Sequence, residues 1–107
     1  MVIATTRPRT FIEYCNTLSK SDDLENWQRG AAKSFTDTEK ALTDYDSGKY
    51  VYAPTGGGGV LIPSFFGEAC IPPKYVEAIW SQLFSRVGYI SEVEHGSFDQ
   101  EVIYAMK

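Results

Sequence analysis

The chain has 107 residues, is 43% hydrophobic and 14% aromatic, and carries a formal net charge of −4 at pH 7. This length predicts one domain over residues 1–107, and the apolar content suits a folded core rather than a disordered chain. The negative charge disfavours binding to nucleic-acid backbones or to anionic membranes, because both need clustered positive charge.

The N-terminal segment predicts a short element followed by a helix. Residues 2–6 form either a frayed end or a short edge strand. Pro8 then suits the start of a helix over about residues 9–19, since its missing N–H has no helical partner there. Apolar side chains spaced three or four residues apart place one face of this helix toward a core. These residues are Phe11, Ile12, Cys15 and Leu18.

Two further helices are predicted before the composition changes at Lys49. Ser21 or Asp22 suits the N-cap of a helix over about residues 22–35. Thr36 and Glu39 have the spacing of a capping box, which predicts a third helix over about residues 37–46. The apolar stripe of the second helix consists of Leu24, Trp27, Ala31 and Phe35.

Beyond Lys49, the β-prone residues 50–53 and 60–62 predict an antiparallel hairpin joined by four glycines. Residues 89–94 and 101–105 alternate in polarity around a turn, which predicts a second hairpin. The segment 74–87 lies between the two hairpins and is predicted to be the core helix. The chain is therefore expected to be an α+β domain, in which three helices precede a ββαββ unit with antiparallel strands.

The predicted core helix 74–87 has the clearest helical periodicity in the chain. Pro72 and Pro73 suit its start, and Gly88 suits its end. Its large apolar residues recur at spacings of three and one, so they share one face. We expect the domain to be organised around this face. The residues are Val76, Ile79, Trp80, Leu83, Phe84 and Val87.

The four consecutive glycines, Gly56, Gly57, Gly58 and Gly59, predict a flexible loop that contacts a partner. A phosphate-binding P-loop would require Lys and then Ser or Thr at its end, whereas Val60 and Leu61 follow here. A dinucleotide-binding turn would lead from a strand into a helix. A small domain that binds phosphate or a nucleotide through this loop is the alternative.

Cys15 and His95 are the best pair available for a nucleophile and a base. However, Cys15 lies on the apolar face of its helix, and burial raises the pKa of a thiol. Structural zinc normally takes four Cys or His ligands, and this chain has three such residues far apart. We therefore predict that the protein is not an enzyme and that it needs no cofactor and no metal.

Patterns of membrane and secreted proteins are absent from the sequence. There is no run of 18 apolar residues and no N-terminal secretory signal. Cys15 and Cys70 are too few for a disulfide framework. We expect a cytoplasmic protein with two free thiols, and a single bridge between the cysteines is the alternative.

Residues 88–107 contain four acidic residues and one base, with an aromatic residue at the predicted turn. This combination suits docking on a basic protein groove. We predict a non-enzymatic interaction protein that binds a larger, basic protein. Its size and acidity suit an inhibitor, encoded by a phage or mobile element, of a host nucleic-acid-handling or defence protein. The predicted contact residues are Glu92, Glu94, Phe98, Asp99 and Glu101.

A winged-helix-like nucleic-acid-binding domain is a further alternative, because a helix followed by a hairpin matches the second half of that fold. The acidic hairpin would be repelled by phosphates, so direct nucleic-acid binding is disfavoured. The alternative also requires five cations to converge on one face. These are Arg7, Arg9, Arg29, Lys33 and Lys74.

Overall fold

The computed structural model describes residues 1–55, 60, 62, 67–91 and 100–107. In chain order its helices and strands are β1 (Val2–Thr6), α1 (Arg9–Ser19), α2 (Asn26–Ala32), α3 (Thr38–Asp46), β2 (Val51–Ala53), β3 (Glu68–Cys70), α4 (Pro73–Ile79), β4 (Arg86–Ile90) and β5 (Glu101–Met106). A 3-10 turn, Trp80–Gln82, follows α4.

The strands form two antiparallel sheets, which confirms the predicted α+β class. A three-stranded sheet has the order β1-β5-β4, and a two-stranded sheet pairs β2 with β3. Residues 2–6 are thus an edge strand of the larger sheet. Tyr104 lies opposite both Ile3 and Gly88. A Cβ at Gly88 would lie only 2.0 Å from the Tyr104 ring, so glycine at this position lets the ring lie across β4.

The main core is built on α1 rather than on the segment 74–87. Phe11, Ile12 and Cys15 are almost fully buried, as the spacing on this helix predicts. Phe11 meets Phe35 edge to face, with their ring centroids 6.1 Å apart. The rest of the core comes from α3 and from the two-stranded sheet. Its buried members are Ala41, Tyr45, Val51, Ala53 and Cys70.

The prediction of a core helix over residues 74–87 is wrong in both length and role. The helix ends at Ile79, and residues 86–90 form β4. Within α4 only Val76 is buried, whereas Ile79 is 41% and Leu83 67% exposed. The helical spacing of apolar residues continues into residues 86–90, which pair with β5. This non-local pairing overrides the local helical pattern.

The first hairpin also differs from the prediction. β2 pairs with residues 68–70, not with residues 60–62. Val60 and Ile62 lie outside any strand, and the glycines at 56–59 lie outside the described residues. A pairing partner this far along the chain is not indicated by local sequence, because the intervening residues are as β-prone as β3 itself.

The second helix is shorter than the predicted 22–35. It begins after Glu25, which forms a capping box with Gln28. The Glu25 carboxylate accepts a hydrogen bond from the Gln28 backbone N–H, and the Gln28 side chain accepts one from the Glu25 backbone N–H. The first helix has the predicted bounds, and the third begins one residue later than predicted, at Thr38. The Asp37 carboxylate accepts from the Lys40 N–H and caps this third helix.

A buried threonine joins the two sheets. The Thr6 hydroxyl donates to the carbonyl of Ala69 at 3.0 Å and accepts from the backbone N–H of Ile71 at 2.7 Å. The next residue, Arg7, donates its own backbone N–H to the same Ala69 carbonyl at 2.9 Å. Its guanidinium binds Glu68 with two hydrogen bonds, at 2.8 and 3.2 Å. The end of β1 is thereby fixed against β3.

We predict that Thr6→Val destabilises the protein by about 1–3 kcal/mol, because the buried Ile71 N–H loses its acceptor and valine cannot replace the hydroxyl. Equilibrium unfolding in urea measures this change. Thr5→Val is the matched control, since Thr5 is exposed on the same strand. Equal stability of the two variants would show that the hydroxyl does not join the sheets.

An ion pair links the first residue of α1 to the last residue of α3. The Arg9 guanidinium binds the Asp46 carboxylate at 2.8 and 2.9 Å. The Lys74 ammonium donates to the Asp46 carbonyl at 3.1 Å. The hydrogen bond from Arg9 is the main cause that lowers the pKa of Asp46 below its ordinary value of 3.8.

A lowered carboxyl pKa stabilises the folded state at pH values above the ordinary 3.8, and this contribution is lost as the pH falls through the folded-state pKa. We therefore expect acid to destabilise the wild type more than Asp46→Asn. Urea unfolding at a series of pH values from about 6 to 2 tests this. Asp22→Asn, on an exposed connecting segment, is the control. Parallel curves for wild type and Asp46→Asn would contradict the expectation.

Candidate protein-interaction site

Most of the predicted partner-binding residues fall outside the described part of the chain. This applies to Glu92, Glu94, Phe98 and Asp99, and also to His95. Glu101 is described, and its inclusion in an exposed acidic surface is wrong, since it is only 7% exposed. Glu101, Ile103 and Ala105 alternate along β5 and all face the interior. Because side chains alternate between the two faces of β5, the Glu101 carboxylate lies in the interior.

The buried Glu101 carboxylate belongs to a hydrogen-bonded network with Tyr89. The Tyr89 hydroxyl is hydrogen-bonded to Glu101 and to the Ile71 carbonyl, the latter at 2.8 Å. The Tyr45 and Tyr89 side chains also influence each other's pKa. Burial is the main cause that raises the pKa of Tyr45 to about 12, and it also raises the pKa of Tyr89. Both hydroxyls therefore stay protonated at neutral pH, and the network holds β4 and β5 to the rest of the fold.

Neither cysteine is activated as a nucleophile. Cys15 and Cys70 are free and fully buried. Burial is the main cause that raises the pKa of Cys15 to about 11 and of Cys70 to about 12. Among the residues that the structure describes, no group of three or more His, Cys, Asp or Glu side chains could hold a metal ion.

Raised pKa values and burial together predict slow alkylation of the native thiols. At pH 8 we expect iodoacetamide to react at least ~100-fold more slowly with the native protein than with the urea-unfolded chain, because the thiolate is scarce and shielded. Mass spectrometry should show two adducts after unfolding without a reductant. Rapid modification of the native protein, or fewer than two adducts after unfolding, would contradict free buried thiols.

Three large aromatic side chains are exposed on α2 and around β2. Trp27 is 53%, Tyr50 56% and Tyr52 39% exposed. They border three successive concavities of about 420, 300 and 490 Å3. The first and second share Ser34 and Pro54 in their walls, and the second and third share Tyr50. The concavities therefore adjoin one another and form a single extended surface. We call it the aromatic groove and define it by Trp27, Pro54, Tyr52, Tyr50 and Tyr75.

Trp27 forms one end of the aromatic groove, and it is placed there by the start of α2. The indole N–H donates to the Glu25 carboxylate at 2.7 Å, and Glu25 also caps the helix. None of the α2 residues is buried. A Cβ at Gly30 would meet no atom within 4 Å, so the wall beside Trp27 is open. Trp27 was expected in an apolar stripe, but α2 keeps this ring at the surface.

Tyr50 and Tyr75 form the opposite end of the groove. Their rings meet edge to face with centroids 5.4 Å apart. Gly48 allows this approach, because it ends α3 at φ +90° and a Cβ there would lie 3.1 Å from the Lys74 Cβ. In the middle, the Tyr52 ring lies beside Gly67, where a Cβ would come within 2.8 Å of the ring. Glycines thus position two of the exposed tyrosines.

Charges along the walls of the aromatic groove are balanced. The lining carboxylates are Asp37, Asp44 and Glu68, and the lining cations are Lys33, Lys40 and Lys49. Two of these carboxylates are in ion pairs, since Lys40 binds Asp44 at 2.7 Å and Arg7 binds Glu68. Exposed Asp22 and Asp23 precede Trp27 in the chain. The concavity at Trp27 is itself lined by Lys33 and by Glu68.

No match to this chain was found among protein-family models, curated proteins or solved structures. Of the helices in the described residues, none has the length and apolar character needed to cross a membrane. The winged-helix alternative needs the helix predicted over residues 74–87, whereas α4 ends at Ile79. It also needs Arg7 and Arg9 to contact phosphates, whereas both guanidinium groups are held in ion pairs with carboxylates of the chain. The phosphate-binding alternative depends on glycines outside the described residues.

The sequence indicated little of this site. Tyr50 and Tyr52 are two residues apart in a β-prone segment. This spacing predicts that their side chains share one face of a strand, but it does not predict whether that face is exposed. Trp27 fits a helical apolar stripe and was expected to be packed. A useful signal was the crowding of Asp22, Asp23 and Glu25 just before Trp27, since a buried indole rarely has three carboxylates beside it.

Proposed function

We propose that this protein is a non-enzymatic interaction module that binds a larger, basic protein through the aromatic groove. The observation that carries the proposal is the exposed Trp27, which Glu25 holds at one end of that groove. Tryptophan and tyrosine are the residues most enriched among those that dominate protein–protein binding energy. A pre-positioned indole loses little conformational freedom on binding, which favours affinity.

The charges support a basic partner. The chain carries −4 overall, and Asp22, Asp23 and Glu25 closely precede Trp27 in the sequence. Opposite charge across an interface speeds association and disfavours wrong partners. The high pKa values of the two buried thiols also fit a protein that works by binding rather than by nucleophilic chemistry.

Inhibition is the form of this function that we propose. A small acidic domain that occupies a basic surface of a nucleic-acid-handling protein would compete there with nucleic acid. In this proposal the acidic segment 92–99 and the glycines at 56–59 add contacts to those of the groove. The protein works in the cytoplasm, where its partner is found.

The test is affinity capture from an extract of the source cells with three matched baits. These are the wild type, Trp27→Ala and Leu83→Ala. Leu83 is 67% exposed but does not line the groove, so it controls for loss of an exposed apolar side chain. We expect one basic protein to be retained by the wild type and by Leu83→Ala. Trp27→Ala should retain at least tenfold less of this protein. Its free energy of unfolding should differ from that of the wild type by no more than about 0.5 kcal/mol.

Two results would overturn the proposal. One is capture of the same proteins, in the same amounts, by the wild type and by Trp27→Ala. The other is that every Trp27-dependent protein is acidic, because the net charge of −4 would then repel it.

A further inference from the structure

We propose that the protein forms a two-fold symmetric dimer through the outer face of its three-stranded sheet. The outer face consists of the residues of β1, β4 and β5 that alternate away from the core. These residues are Ile3, Thr5, Arg86, Gly88, Ile90, Val102, Tyr104 and Met106. The inference goes beyond the proposed function, because none of these residues lines the aromatic groove.

The central strand β5 is apolar on both of its sides. Ile103 and Ala105 are buried against the core, whereas Val102 and Tyr104 alternate with them and are partly exposed. The strand therefore has an uninterrupted run of apolar and aromatic residues over 102–106. A strand with one solvated face alternates apolar with polar residues, whereas a continuous apolar run is typical of a strand that is covered on both faces. The outer face of β5 is therefore suited to burial.

The strands on either side of β5 continue this apolar surface. Ile3 lies opposite Tyr104 and is 66% exposed, and Ile90 lies opposite Val102 and is 44% exposed. Between them, the Tyr104 ring lies across Gly88, so an aromatic ring occupies the middle of the face. An apolar sheet face of this kind packs on a second sheet about 10 Å away, as in a β-sandwich.

Charge favours a second copy of this chain as the sheet that covers the outer face. In a two-fold dimer the same patch meets itself, so a charge near its centre would oppose an identical charge. None of the 14 acidic residues of the chain belongs to the outer face, and its one charged residue, Arg86, lies at the start of β4. Copies with a net charge of −4 repel each other least where they meet without carboxylates. A basic protein, in contrast, would find no carboxylate to pair with on this face.

The dimensions of the outer face indicate a reversible dimer. The sheet is three strands wide, and its strands are 5 or 6 residues long. Ordinary strand spacings give this face a size of roughly 14 by 17 Å. Interfaces below the standard size, about 800 Å2 per partner, are typical of reversible complexes. We therefore expect monomer and dimer to exchange at micromolar concentrations.

The experiment is sedimentation velocity of the purified chain at concentrations from about 5 to about 500 µM. We expect the average mass of the wild type to rise with concentration from 12.0 kDa toward twice that value. Ile3→Lys and Ile90→Lys, tested separately, should each raise the dimer dissociation constant at least tenfold, because the dimer would bury the ammonium group. Both substitutions bring the net charge closer to zero, so greater overall repulsion would not explain a weaker dimer.

Val2→Lys is the matched control for Ile3→Lys, and Leu83→Lys is the control for Ile90→Lys. Val2 is 42% exposed on the same strand as Ile3 but alternates to the opposite face of the sheet. Leu83 is 67% exposed and lies outside the strands. Both controls should dimerise as the wild type does. Urea unfolding at low concentration shows whether each variant folds, and Ile3→Thr or Ile90→Thr, which keeps a β-branched side chain, replaces a lysine variant that does not.

Several outcomes would overturn the inference. One is a wild type that stays at 12.0 kDa at every concentration, including the case in which Ile3→Lys fails to capture a protein that the wild type captures from an extract. Another is dimerisation that depends on Ile3 or on Ile90 alone, because these residues lie on opposite edge strands and pairing of two edges would involve only one of them. The proposed function fails separately, when no captured protein depends on Trp27, since sedimentation of the purified chain involves no other protein.

Discussion

The hydroxyl of Thr6 is the constraint on which the rest of the fold depends. It lies between the two sheets, accepting from the Ile71 N–H and donating to the Ala69 carbonyl. These partners are more than 60 residues away in the chain, so the contact closes a long loop that local structure cannot close. α1 begins three residues after Thr6, and its buried face therefore has a fixed position relative to β3. The core of Phe11, Ile12 and the two cysteines forms in the space that this junction defines.

The aromatic groove follows from the same arrangement. Its walls come from α2, α3, β2 and α4, and no single element contributes more than part of it. β2 reaches the groove because it pairs with β3, and β3 is held by the end of β1. The approach of β2 to α4 depends on Gly48, where the chain turns at φ +90° after α3. A surface built in this way exists only in the assembled fold, which is why no motif of consecutive residues indicates it.

The α+β class and the core face of α1 could be predicted from the sequence, because both depend on local periodicity. Phe11, Ile12, Cys15 and Leu18 are spaced for one helical face, and all four are buried. The segment 74–87 was mispredicted for a physical reason. Val87 extends the helical spacing, yet it pairs with Ala105, so a contact with a distant strand decides its structure. Glu101 was mispredicted because acidic residues are usually exposed, whereas here Tyr89 hydrogen-bonds to the carboxylate in the interior.

The distribution of side-chain sizes connects stability with function. Small residues such as Cys15, Ala53, Cys70 and Ala105 occupy fully buried positions, while Trp27 and Tyr50 remain more than half exposed. Burial of large apolar side chains is the main source of folding free energy, and here Phe11, Ile12, Val76 and Ile103 supply it from almost fully buried positions. The exposed rings are held in place by specific contacts, Trp27 by Glu25 and Tyr50 by Tyr75. Rings that are exposed yet held in place are suited to burial by another molecule, and this supports the proposal that the groove binds a partner.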